Sequence, residues 1–342
     1  MIRALIACVS FIGIVGALGY YTVMHTGAGQ DLLLSRAISA MASTSSGQQQ
    51  DAMRLFVCGS AAPLPTEGRA QACLAVVTPD HYFVVDAGSG SANNLGIAGL
   101  PGQRLDGILL THYHSDHITD IPTMNVISWV AGRKGALKVY GPPGIEQVVA
   151  GFNLAYAQDR HYRTAHHGES FMPIRFGELE PVLLDVESSL EFGEMTVTSF
   201  PVDHSPIHPA VGYRFDYKGR SIVITGDTIV TDRLRQVVDD ADLLLADALS
   251  LPIIQAMESS LSQSRMTKVL GDIQDYHASV ADVAELTRST GVNMTALYHM
   301  VPGPRNELME NMFKRELEDN MLLTRDRMWF TLAVGSDEIV VH

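Results

Sequence analysis

Four side chains of the kinds that bind metal ions lie within six residues of one another. In residues 105–117 an apolar strand is predicted to run into a loop that carries His112, His114, Asp116 and His117. An extended backbone points residues two apart to the same side, so His112 and His114 face one way. A turn after them brings Asp116 and His117 to a neighbouring point. Imidazole and carboxylate ligands suit Zn²⁺, so the fold must bring this loop to a metal centre.

Three further candidate ligands follow apolar strands later in the chain. They are His204, Asp227 and His299, and each closes a separate apolar segment. Seven such ligands exceed what one tetrahedral ion requires, which favours two ions a few ångströms apart. His208 lies in the same loop as His204 and is its alternative, although His204 directly follows its strand.

The body of the chain alternates strand and helix patterns. Apolar runs are typical of strands, and Ser279 with Asp282 predicts a capping box for a helix that Gly291 would cap at its carboxyl end. Polar residues cluster where strands end, which predicts an α/β layered domain with its site at one edge of the sheets. Strands are predicted in 54–60, 70–90 (two), 105–117, 137–157, 194–204, 210–228 (a hairpin), 241–249 and 294–302, and helices in 121–132, 137–157 and 279–291.

The amino terminus is apolar and precedes a polar stretch. Arg3 is followed by an apolar run over residues 4–21, near the ~20 residues needed to span a bilayer. We therefore expect residues 1–25 to be a signal peptide or an uncleaved membrane anchor and the protein to be periplasmic or otherwise extracytoplasmic. A buried helix is the alternative. Residues 26–52 are expected to form a linker and residues 53–342 the folded domain.

The charge and the cysteines limit the partners. Asp and Glu total 38 against 24 Lys and Arg, for a net charge of −14, which disfavours long nucleic acid as a partner. No glycine-rich nucleotide-binding motif is present. Cys58 and Cys73 are expected to be two buried thiols, with a disulfide between them as the alternative.

The loop motif H-x-H-x-D-H after a buried strand resembles the signature of the metallo-β-lactamase superfamily. The segments 58–70, 84–90, 209–215 and 225–228 are most similar to the ribonuclease Z and arylsulfatase-like phosphodiesterase branch. The resemblance extends from Arg54 to the carboxyl terminus. It implies a four-layer αββα sandwich with a dinuclear metal site at one edge of its two sheets.

The resemblance also implies how two zinc ions are shared, with Mn or Fe as alternative metals. One ion is expected on three imidazoles, the other on one carboxylate and two imidazoles, and one carboxylate bridges both ions. The first set is His112, His114 and His204, the second is Asp116, His117 and His299, and the bridging residue is Asp227. The same branch implies a homodimer.

Four residues at or beside this set are considered for further roles. His277 is expected to assist as a proton donor or anion stabiliser, with a chemically inert helix-terminus histidine as the alternative. Asp116 is expected to orient the nucleophile as well as bind metal. Asp247 stands where the branch usually has Glu, a departure that weakens the expectation of a shared acid–base relay. Asp86 is expected to support the loop beneath the metals.

A histidine-rich insert separates the two halves. Residues 159–170 contain His161, His166 and His167 among glycine and polar residues. We interpret the insert as a lip over the site. No third metal position is expected there, because nothing nearby completes a ligand set.

The expected activity is hydrolysis of a small phosphodiester or aryl sulfate ester. The ribonuclease Z branch usually inserts a long tRNA-gripping arm between the counterparts of His204 and Asp227, and here only 22 residues separate the two. Together with the acidic charge and the amino terminus, this makes a ribonuclease Z-like tRNA-processing endonuclease the alternative. A lactonase, thioesterase or β-lactamase is also compatible with the metal core. A non-catalytic scaffold would be expected to lack ligands, and all seven are present.

Overall fold

The computed structural model describes residues 16–43, 50–261 and 265–342. The chain divides into two compact units, Met1–Gln50 and Asp51–His342. In the first unit residues 16–25 are helical and α1 spans Gly27–Ser43, so much of the expected linker, 26–52, is helical. The polar residues 44–49 of that linker lie outside the described residues.

The membrane-directed interpretation of the amino terminus is corrected. Residues 1–15 of the expected leader lie outside the described residues. In the part of the chain that the structure describes, no helix is long and apolar enough to cross a membrane. The periplasmic or extracytoplasmic location inferred from that segment is therefore withdrawn, and residues 4–15 of the expected anchor lie outside the described residues.

Within the described residues of the second unit, one sheet has eight strands. Its order is β15-β14-β1-β2-β3-β4-β5-β6, with β3 to β6 mutually parallel and the other neighbours antiparallel. The strands are β1 (Ala52–Gly59), β2 (Cys73–Val77), β3 (Tyr82–Val85), β4 (Gly107–Leu109), β5 (Leu137–Gly141), β6 (Leu179–Leu183), β14 (Trp329–Ala333) and β15 (Ile339–Val341).

The other sheet has seven strands in the described part of the chain. Its order is β13-β12-β11-β10-β9-β8-β7, with β10 to β13 parallel and the hairpin partners antiparallel. The strands are β7 (Ser188–Phe192), β8 (Met195–Pro201), β9 (Val211–Tyr217), β10 (Arg220–Ile224), β11 (Leu243–Leu249), β12 (Met294–Val301) and β13 (Met321–Leu323).

Helices cover the outer face of each sheet. The α-helices are α2 (Ser91–Ile97), α3 (Ser115–Ile118), α4 (Ile121–Val130), α5 (Ile145–Ala155), α6 (Ala157–His167), α7 (Asp232–Val238), α8 (Leu251–Ser260), α9 (Arg265–Asp272), α10 (Val280–Ser289) and α11 (Glu307–Lys314). Short 3₁₀ turns occupy Gly102–Arg104, Ile174–Gly177 and Ile273–Asp275.

Strand β1 shows why the domain has four layers. Its alternate residues Met53 and Leu55 pack between the two sheets, whereas Phe56 and Cys58 pack towards the helices. A strand that is buried on both faces needs a layer on each side. The inter-sheet core and the two sheet–helix cores together give the expected αββα sandwich, which the structure confirms.

Three details differ from the sequence-based expectations. Cys58 and Cys73 form a disulfide between β1 and β2 instead of remaining two thiols. Helix α10 begins at the expected capping box of Ser279 and Asp282, but it ends with Thr290 as its cap and not at Gly291. The insert 159–170 is largely helical, because α6 extends to His167.

Candidate metal centre

One buried carboxylate, that of Asp86, supports the loop after β4. Asp86 accepts hydrogen bonds from the backbone amide and the hydroxyl of Thr111, both at 2.9 Å. Its Oδ2 also lies 2.8 Å from Nδ1 of His117. Asp86 is 1% exposed and has a left-handed backbone conformation, with φ of 59°. The surrounding contacts stabilise this conformation. The contacts agree with the supporting role expected for Asp86.

The first group of candidate ligands surrounds Asp227. Ligand atoms of His112, His114, His204 and Asp227 all lie within 4.8 Å of one another. The Nε2 atoms of His112 and His204 are each 3.8 Å from Oδ2 of Asp227. The chain delivers them from the loop after β4, the loop after β8 and the loop after β10.

The second group shares the same carboxylate. Ligand atoms of Asp116, His117 and His299 lie within 4.8 Å of one another. His299 Nε2 is 3.1 Å from Oδ2 of Asp116, and its Nδ1 is 3.5 Å from Oδ1 of Asp227. Nε2 of His117 is 3.4 Å from Oδ2 of Asp227. Asp227 therefore faces both groups, and all seven predicted ligands converge at one edge of the sheets.

In three of the candidate histidine ligands, Nδ1 of the imidazole ring contacts another group of the protein. His117 Nδ1 contacts Asp86, His204 Nδ1 is 2.9 Å from the carbonyl of Tyr276, and His112 Nδ1 is 3.0 Å from the hydroxyl of Thr111. Such contacts fix the tautomer of a metal-binding imidazole. Neither Tyr276 nor Thr111 was predicted, although each is adjacent in sequence to a residue that was, His277 and His112.

The residues fit a metal ion. In the described part of the chain, four buried atoms of the candidate ligands make no hydrogen bond: Nε2 of His117, Nε2 of His204, Nδ1 of His299 and Oδ1 of Asp227. Buried polar atoms are normally paired, so an absent partner at this point is consistent with a cation. The donor set of nitrogen and carboxylate oxygen is that of zinc and its neighbours in the first transition row.

The electrostatics of His112, His204 and Asp227 favour their metal-binding forms. Burial lowers the pKa of His112 well below its usual range and that of His204 to about 4, so both rings are neutral at pH 7. Burial alone would raise the pKa of Asp227. The positive charges of His299 and His117 outweigh that effect and hold it well below its usual range. A neutral imidazole and an ionised carboxylate are the forms that coordinate metal.

His299 lies at an irregularity within β12, not at its end. Its φ is 43°, and the pairing of β11 with β12 shifts register between Ala246 and Ala248. A bulge re-aims side chains that a regular ladder would point to alternate faces. The irregularity directs the side chains of His299, on β12, and Asp247, on the neighbouring β11, towards the centre.

His277 and Asp247 form a buried pair beside the ligands. Nδ1 of His277 is 2.8 Å from Oδ2 of Asp247, and the two residues are 7% and 1% exposed. The ring centroid of His277 lies 5.3 Å from that of His204 and 5.6 Å from that of His299. Burial raises the pKa of Asp247 to about 6. Asp247, which stands where the resembling branch usually has Glu, thus contacts His277.

Other candidate histidines lie apart from the centre. His208 is exposed and hydrogen-bonds Ser205, which leaves His204 as the ligand candidate from that loop. His161, His166 and His167 are exposed on α6. Among the described residues they belong to no group of three metal-binding side chains.

Comparison with known proteins assigns the segment that contains the candidate ligands to a family. The family model described as "Beta-lactamase superfamily domain" matches residues 81–300, which contain all seven candidate ligands. A curated relative, ribonuclease Z of Mycobacterium bovis (strain BCG / Pasteur 1173P2), is 31% identical over 260 residues. That alignment covers 75% of this chain and 89% of the relative.

Two solved structures show a similar fold. The metallo-beta-lactamase fold protein YhfI from Bacillus subtilis superposes with a TM-score of 0.59 at 20% identity, covering 82% of this chain and 100% of that one. The short form of human tRNase Z superposes with a TM-score of 0.51 at 21% identity, covering 81% and 98%.

Proposed function

The chain belongs to the metallo-β-lactamase superfamily and is a metal-dependent hydrolase, and from that premise we propose that it cleaves phosphodiester bonds in RNA as a ribonuclease Z does. The observation that carries the choice of RNA is the likeness to ribonuclease Z over 89% of the relative's length. This reverses the order of the sequence-based hypotheses, in which a small ester came first and long nucleic acid was not expected.

The proposed cofactor is a pair of zinc ions. His112, His114 and His204 would hold one ion, Asp116, His117 and His299 the other, and Asp227 both. When bound, the ions would polarise phosphoryl oxygens and lower the pKa of water at the centre. The unpaired buried atoms of His117, His204, His299 and Asp227 support this assignment.

His277 is the proposed proton donor to the leaving oxygen. Because its Nδ1 is held by Asp247, Nε2 is the nitrogen left to exchange a proton with substrate. Asp247 fixes the ring and its tautomer. Asp116 accepts a hydrogen bond from His299 at 3.1 Å and is proposed to orient the attacking nucleophile.

A second candidate function is hydrolysis of a small phosphodiester or aryl sulfate ester. The observation that favours it is the connection between His204 and Asp227, which holds only the hairpin of β9 and β10 with Lys218 and Gly219 at its turn. That connection has no room for a tRNA-gripping arm. The net charge of −14 also opposes long-range attraction of RNA.

One set of assays separates the two candidates. The full chain is incubated with a precursor tRNA that carries a 3′ trailer, with bis-p-nitrophenyl phosphate and with p-nitrophenyl sulfate, each with and without a chelator. We expect chelator-sensitive cleavage of the precursor and of the phosphodiester. Turnover of a small ester without any cleavage of the precursor would contradict the ribonuclease proposal and favour the second candidate. Zinc-loaded protein inert to all three substrates would contradict both and redirect the search to carbon esters.

A further inference from the structure

A groove of about 400 Å³ lies where β4 and β5 begin, at the opposite end of these strands from the candidate ligands. Arg104 and Asp106 line it from the segment before β4, and Arg133 and Lys134 from the segment before β5. Lys138, on β5, completes its cationic side. The proposed function does not use this groove.

The groove is strongly positive in a chain whose net charge is −14. Its lining contains Arg104, Arg133, Lys134 and Lys138 against one carboxylate, Asp106. Lys134 and Lys138 are exposed, and within the described residues neither has a carboxylate oxygen within salt-bridge distance. Uncompensated cations in a concavity concentrate anionic ligands.

Arg133 adds a buried charge behind these lysines. It is 5% exposed and hydrogen-bonds only neutral groups, among them the side chains of Ser128 and Asn125 and the carbonyl of Phe176. Burial lowers its pKa to about 10, so it is still charged at pH 7. Its positive charge is therefore not cancelled by a partner.

A second polar groove gives the contrast. Around Glu310, its cations are balanced by carboxylates, and Arg69 and Arg325 both pair with Glu310 at 3.2 and 2.6 Å. The positive charges of that groove are therefore compensated by carboxylates in its own lining. The excess of cations is a property of the groove at β4 and β5 and not of polar surfaces of this chain in general.

The distance to the metal ligands indicates the size of the ligand. Five residues lie between Asp106 and His112, so these two positions are at most about 20 Å apart along an extended chain. A small ester at the metal centre cannot reach the groove, whereas about six base-pair steps of a nucleic acid duplex cover this distance. Phe192 also lines the groove and packs against the rings of Phe83 and His81.

We propose that this groove binds the phosphate backbone of the RNA substrate and positions the RNA relative to the metal centre. The inference rests on the proposed ribonuclease function. It also provides a site for RNA in a chain whose hairpin between His204 and Asp227 leaves no room for an arm.

The test compares two double variants of the full chain that change the net charge equally. One is K134E/K138E. The control is K268E/R315E, at exposed positions outside the groove. Dissociation constants for fluorescein-labelled precursor tRNA are measured by anisotropy over a range of salt concentrations, alongside cleavage of the same RNA and of bis-p-nitrophenyl phosphate.

We expect K134E/K138E to weaken tRNA binding and to raise KM about tenfold or more at 0.1 M salt, with a salt slope lower by about two. Turnover of bis-p-nitrophenyl phosphate should stay unchanged, which also shows that the variant is folded. Equal tRNA affinities for the two double variants would overturn the proposal. If the wild type binds tRNA through these lysines but does not cleave it, the ribonuclease function fails while the binding groove stands. If it does not bind tRNA, the groove proposal fails as well.

Discussion

At the scale of single residues, the centre depends on side chains that hold the ligands as well as on the ligands. Asp86 and His299 both have positive φ, at 59° and 43°, although neither is glycine. Such conformations cost of order 1–3 kcal/mol each and persist where the surroundings impose them. Here the surroundings are Thr111 and His117 around Asp86, and the irregular pairing of β12 around His299.

Replacing Asp86 by Asn should weaken metal binding without removing a ligand. The variant loses the charged acceptor for Nδ1 of His117, and loss of such a partner typically costs 10–100-fold in metal affinity. Chelator competition on the wild type and D86N measures the effect. An unchanged zinc affinity would show that Asp86 does not orient His117.

Replacing His277 by Ala should affect substrates unequally. A positioned general acid typically contributes 10²–10⁴-fold, and it matters most when the leaving oxygen is a poor leaving group. We expect kcat for precursor tRNA to fall by about that factor in H277A, and kcat for bis-p-nitrophenyl phosphate, with its good leaving group, to fall much less. Equal losses on both substrates would indicate a structural role for His277. D247E should retain more activity on tRNA than D247A, because Glu can still accept from Nδ1 of His277.

At the scale of elements, the sequence predicted which strands precede the candidate ligands, but it did not predict the irregular pairing of β11 with β12. The motif His112 to His117, the β9–β10 hairpin and the capping box at Ser279 depend on short-range patterns, and each is found where it was expected. The irregularity opposite Asp247 arises from pairing between strands some 50 residues apart, which no local pattern encodes. For the same reason the contact of His277 with Asp247 could not be predicted.

The Cys58–Cys73 disulfide is expected to stabilise the pairing of β1 with β2. It closes a loop of 15 residues between β1 and β2, and a loop of that length contributes about 3 kcal/mol in the chain-entropy model. We expect C58A/C73A to lower the free energy of unfolding by about that amount while metal content and activity at 25 °C persist. Denaturant titration measures it. No change in stability would show that the bond adds nothing to the pairing of β1 with β2.

At the scale of the whole molecule, the net charge does not describe the local surface, whereas the ligand pattern was a good guide to the fold. The αββα layers follow from strands buried on both faces, such as β1 with Leu55 towards one core and Phe56 towards another. The net charge averages over the whole surface, so it concealed the positive groove formed by Arg104, Lys134 and Lys138. The apolar amino terminus predicted a membrane anchor, whereas none of the helices that the structure describes has the length and apolarity of a membrane span.

The most direct test of the two-metal centre is the zinc content of the full chain and of D227A, measured by elemental analysis after purification and dialysis. Asp227 faces both groups of ligands, so the account predicts about two zinc ions in the wild type and at most about one, with activity lost, in D227A. Wild-type protein without stoichiometric metal, or a D227A variant that keeps two ions and full activity, would contradict it.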